Sequence, residues 1–106
     1  MATTRIAMPQ TARRGEVIEI KTLIQHEMET GYRRDSRGLA IPRDIIAELT
    51  VTYAGAVVFR GDLNAGISAN PYLAFHLRAT ETGDIVFKWS DERGGVTTVA
   101  RRLTVT

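Results

Sequence analysis

The run Glu16-Val17-Ile18-Glu19-Ile20-Lys21-Thr22-Leu23-Ile24-Gln25-His26-Glu27-Met28-Glu29-Thr30-Gly31 decides the fold. Ile18, Ile20 and Ile24 fall on one side of a ribbon of period two, with Thr22 between them, while Glu19 and Lys21 fall on the other. That alternation marks a strand with one face in a core and one in water. The β-branched run then gives way to a compact polar knot of His26, Met28, Glu29, Thr30 and Gly31, where the period is lost.

Before this strand, residues 1–14 read as a flexible N-terminus or a short edge strand around Arg5 to Met8. Pro9 ends that strand, because proline removes a ladder donor and is tolerated at sheet edges. Thr11 to Gly15 reads as the turn into the strand, and residues 15–106 as one β-sandwich domain. After the knot, Arg33, Arg34, Asp35, Arg37 and Gly38 make a solvated loop with a tight turn at Ser36-Arg37-Gly38. Pro42 and Asp44 suit the first turn of a helix, so one short turn is expected between Leu39 and Ile46. Glu48 to Tyr53 and Ala56 to Arg60 flank Ala54-Gly55 as a hairpin, with Leu49, Val51 and Tyr53 inward. Tyr72 to Ala79 buries Leu73, Phe75 and Leu77 and exposes Tyr72, His76 and Arg78. Ile85, Phe87 and Trp89 share a face of the next strand, and Val96 to Thr106 forms the last. Six to seven strands without a convincing helix predict an all-β, antiparallel β-sandwich with Trp89, Phe87, Phe75, Phe59 and Leu73 in its core.

A length of 106 residues, 43% of them hydrophobic and 25% charged, fits one globular domain that buries its own core. There is no cysteine, which excludes a thiol nucleophile, disulfide exchange and a thiolate metal site on these residues. The net charge of +2 is too small to argue for nucleic acid, although arginine supplies all but two of the 14 basic residues. Arginine suits fixed, bidentate contacts with oxyanions. No apolar run is long enough to span a membrane. Arg13-Arg14 imitates a twin-arginine signal, but Gly15-Glu16-Val17-Ile18-Glu19 follows where an apolar segment should begin. Read without relatives, the chain is expected to stay in the cytoplasm.

Neither His26 nor His76 has a nucleophile elbow near it, and no glycine pattern matches a phosphate loop. Glu27 and Glu29 point the same way in an extended segment, where solvation is the ordinary outcome. His26 and Met28, with Met8 and His76 near in space, would form a ligand set suited to copper. This alternative, a periplasmic copper-binding β-sandwich, predicts tight copper binding by the isolated chain.

Ile20-Lys21-Thr22-Leu23-Ile24-x-His26-x-Met28-Glu29-Thr30-Gly31-x-Arg33, followed by Ser68-x-Asn70-Pro71-Tyr72-Leu73-x-Phe75, resembles the SoxZ family. The resemblance implies an immunoglobulin-like β-sandwich without cofactor or catalytic residues. It implies a heterodimer with a SoxY-like carrier subunit, whose C-terminal cysteine covalently holds sulfur intermediates during thiosulfate oxidation. Higher assembly and transient contact with other Sox enzymes follow from that role, as does a periplasmic location reached by co-export with the partner. Under this resemblance His26, Met28, Glu29, Thr30 and Gly31, or else Tyr72 and His76 beside Tyr53 or Phe59, form the partner interface. Arg33, Arg34 and Arg37 are placed to steer the anionic head of the carrier arm.

Overall fold

The computed structural model describes residues 3–25, 34, 36–39, 46–62, 72–92 and 94–106. Among these residues are eight strands and no helix. They are β1 (Thr3–Ala7), β2 (Thr11–Ala12), β3 (Val17–Gln25), β4 (Ile46–Tyr53), β5 (Ala56–Asp62), β6 (Tyr72–Arg78), β7 (Gly83–Asp91) and β8 (Val96–Val105). They form a three-stranded sheet, β1-β3-β6, and a five-stranded sheet, β2-β8-β7-β4-β5. The result is an immunoglobulin-like sandwich. The helical turn expected before β4 falls on residues 40–45, outside the described residues.

Alternation dictates the layers. Along β3, Ile18, Ile20, Thr22 and Ile24 are buried, while Glu19 and Lys21 are exposed. Leu49, Val51 and Tyr53 on β4, and Ile85, Phe87 and Trp89 on β7, face the same core. Each fully buried large side chain contributes about 1.5–3 kcal/mol of transfer free energy, opposed by the entropy of ordering it. Phe87 and Trp89 stack with centroids 6.1 Å apart. Phe59 on β5 stacks on Phe75 of β6 at 4.5 Å, joining the two sheets at one flank. Phe59 and Leu73 are only partly buried, so they close the rim of the core rather than its centre. Thr22 is the one polar residue in the buried set of described residues, 1% exposed, and its hydroxyl donates to the Leu73 carbonyl at 2.9 Å. That bond removes the cost of an unsatisfied hydroxyl in the apolar interior.

The N-terminal stretch brings the strand number to eight. β1 pairs antiparallel with β3 in one sheet, and after Pro9 the chain crosses to the other sheet, where β2 pairs parallel with β8. The predicted turn at Thr11 to Gly15 is therefore partly a strand: Thr104 N–H donates to Gln10 O at 2.9 Å and Thr106 N–H to Ala12 O at 3.0 Å. Two residues are too few to show a period, so their pairing is set by β8 and left no mark in the local pattern.

β4 and β5 are joined by Ala54 and Gly55, with φ of +51° and +82°. Positive φ at both positions matches the right-handed twist of a two-residue hairpin, and only Gly55 adopts it without cost. Tyr53, just before this turn, is buried with its hydroxyl under the β6–β7 connection. The hydroxyl donates to the Glu81 carbonyl and accepts the N–H groups of Glu81 at 2.9 Å and Thr80 at 3.2 Å. One phenol thus pins the chain where it passes from one sheet to the other.

Ala54→Asn is expected to stabilise the protein by about 0.5–1 kcal/mol, since asparagine tolerates positive φ better than alanine. Tyr53→Phe should cost about 1–2 kcal/mol by removing the partner of the Thr80–Glu81 backbone. Urea unfolding of the two variants checks both signs.

Candidate functional site

The outer face of the three-stranded sheet follows from its register. Arg5, Leu23 and Tyr72 lie in one row across β1, β3 and β6; Ala7, Lys21 and Ala74 form the next; Glu19 and His76 follow. Tyr72 is 57% exposed, and His76 is exposed two positions beyond Ala74. Glu19 binds both neighbouring bases, at 3.5 Å to Lys21 Nζ and 3.7 Å to His76 Nε2. All three groups are about half exposed or more, so these contacts order the side chains and add little stability.

Among the described residues β6 pairs only with β3, and β5 only with β4, so both stand at the edge of their sheets. Stacking of Phe59 on Phe75 sets the two edges side by side on one flank. There Val58 and His76 line an open cleft of about 470 Å³. Val57 is 58% and Val58 39% exposed on β5, whose ladder with β4 shifts register between Val51 and Thr52. Such a bulge twists an edge and restrains indiscriminate pairing, while the exposed valines leave a specific apolar contact available.

Tyr72 and His76 thus lie together on one exposed face, whereas Tyr53 and Phe59 turn into the sandwich and do not join them. Tyr53 is claimed by its hydroxyl contacts and Phe59 by the stack on Phe75. Of the arginine loop, Arg34 and Arg37 are exposed, Arg34 shortly before the turn at residues 36–38 and Arg37 within it. Arg34 Nη1 donates to the Gly38 carbonyl at 2.9 Å, so its guanidinium helps close its own loop. Arg33 and the knot of His26, Met28, Glu29, Thr30 and Gly31 lie outside the described residues. So do the two residues on which the copper alternative rests. Among the described residues no group of three or more His, Asp or Glu side chains could hold a metal ion.

A second cleft, of about 560 Å³, opens around β1 and the outer face of the three-stranded sheet. Arg5, Lys21 and Arg101 line it with Leu23 and Tyr72, and among the described residues no carboxylate does. Sequence reading missed this convergence. Its signal was the parity of β8: Arg101 pairs with Ile85 and shares the inward side with Val99 and Leu103. Because β2 covers β8 only at Thr104 and Val105, that inward arginine still reaches solvent at the flank.

The two packed sheets define an immunoglobulin-like sandwich, a fold that solved structures share. Superoxide reductase (neelaredoxin) from Ignicoccus hospitalis is 14% identical with a TM-score of 0.70, over 98% of this chain and 80% of that one. A putative superoxide reductase from Thermotoga maritima is 15% identical with a TM-score of 0.75, over 97% and 85%. The sulfur carrier protein SoxY from Chlorobium limicola f thiosulfatophilum is 13% identical with a TM-score of 0.63, over 96% and 74%. At such identities the likeness shows the fold. No curated protein matches the chain. The family described as sulphur oxidation protein SoxZ matches residues 5–101, nearly the whole domain, and the chain belongs to that family.

Proposed function

We propose that this chain is the non-carrier subunit of a SoxYZ-type sulfur-carrier heterodimer. The observation that carries this reading is the SoxZ family match over residues 5–101 on a sequence without cysteine. A covalent sulfur carrier needs a thiolate, so the reactive atom belongs to a SoxY-like partner. This chain supplies shape and charge to the complex and makes no bond to sulfur itself.

The edge of β6 and the apolar positions beside it support a place for the partner. An edge strand that has no second neighbour among the described residues offers directional main-chain hydrogen bonds, and Tyr72 is a rigid aromatic anchor of the kind that dominates interface energetics. Val57 and Val58 extend the contact along the flank, with His76 and Glu19 on its polar rim. In this arrangement the complex acts in the periplasm, and the folded chain is exported together with its partner. Transient docking of other Sox enzymes would use surface that the heterodimer leaves open.

Co-expression with a SoxY-like subunit should yield a one-to-one complex by size-exclusion chromatography and native mass spectrometry. Tyr72→Ala and Val58→Lys should each weaken it at least about tenfold while leaving the far-UV spectrum unchanged. A carrier that accepts and releases sulfur at full rate without this chain would overturn the reading.

A further inference from the structure

We propose that the cleft lined by Arg5, Lys21 and Arg101 binds a sulfur oxyanion carried on a short aliphatic stem. Three cations from three different strands face one cavity of about 560 Å³, and among the described residues no carboxylate lines it. Among the described residues Arg5 makes no ion pair, and Arg101 Nη1 donates only to the neighbouring Ala100 carbonyl, at 3.1 Å. Lys21 alone is compensated, by Glu19 at 3.5 Å. Like charges held together repel, and a bound anion relieves that repulsion while accepting hydrogen bonds from both guanidinium groups.

The register explains how the charges meet. Arg5 stands on the outer face of β1, in the row of Leu23 and Tyr72, and Lys21 stands on β3 in the row of Ala7. Arg101 comes from the opposite sheet, on the inward side of β8. Among the described strands β1 is at the edge of its sheet, and side chains from both layers converge around it. Ala7, with a single methyl group, keeps the approach to Lys21 open.

Size and lining select the ligand class. A free tetrahedral oxyanion fills only a small part of such a cleft, and Leu23 and Tyr72 offer apolar surface beside the cations. An anionic head on a thioether-like stem, as in a cysteine S-sulfonate, satisfies both. That the anion is a sulfur species rests on the proposed carrier function; that the cleft takes an oxyanion rests on its charges alone.

The test is an amide NMR titration of the full chain, free and in complex with its carrier, using thiosulfate and S-sulfocysteine as probes. Sodium chloride at matched ionic strength is the control. Saturable shifts are expected at residues 4–7, 21–23 and 101, weakening with added salt. Arg5→Gln and Arg101→Gln should each reduce affinity at least about fivefold, with unchanged shifts elsewhere confirming the fold. Binding of S-sulfocysteine at least about tenfold tighter than thiosulfate supports the stem-borne anion; equal affinities overturn it and leave a site for free oxyanions. Shifts that chloride reproduces, or that persist in both variants, overturn the site altogether. Titration of the free chain reads the cleft whether or not a SoxY-like subunit pairs with it, so failure of the site and failure of the heterodimer are separable.

Discussion

Closure of one apolar layer between two sheets is the constraint on which everything else depends. Ile18, Ile20 and Ile24 from the smaller sheet and Leu49, Val51, Ile85, Phe87 and Trp89 from the larger belong to a single buried cluster. The strands need that cluster because an isolated ribbon is barely stable in water. Once it has formed, the outward positions are released from packing and become available for recognition. Tyr72, His76, Arg5 and Lys21 all occupy such positions, while Arg101 is held at the core's margin by its register.

How much of this was legible in the sequence depended on whether a feature was local. β3, β6 and β7 announce themselves because each alternates over seven or more residues, and β4 over the shorter run from Glu48 to Tyr53, with a buried side that is apolar apart from Thr22. β2 is two residues paired to the far end of the chain, so its existence is a tertiary fact. The inward turn of Tyr53 was visible from its parity, but the backbone groups it holds lie 27 and 28 residues away. Tyr72 and His76 were correctly paired on one face by a spacing of four along β6. The cationic cleft required knowing that β1 and β8 approach one another, which no single stretch encodes; only the arginine set among Val99 and Leu103 hinted at it.

Membership of the SoxZ family and likeness to SoxY fit one economy of design. One architecture thus serves a sulfur carrier protein and a chain of the SoxZ family whose sequence has no cysteine. The superoxide reductase neighbours show that the same sandwich also serves quite different proteins, so the fold by itself decides nothing about chemistry. The surface around the shared core decides it.

The crossing at Pro9 has a mechanical side. β1 is laced antiparallel to β3 in one layer and β2 parallel to β8 in the other, with Arg14 N–H and the Ala12 carbonyl both bonded to Thr106. Tension along the backbone between the first and last strands would load the β2–β8 hydrogen bonds in shear, together, instead of unzipping them one after another. The parallel patch is short, yet it anchors the crossing chain to the larger sheet while β1 anchors it to the smaller, making the crossing a latch against the two layers being drawn apart.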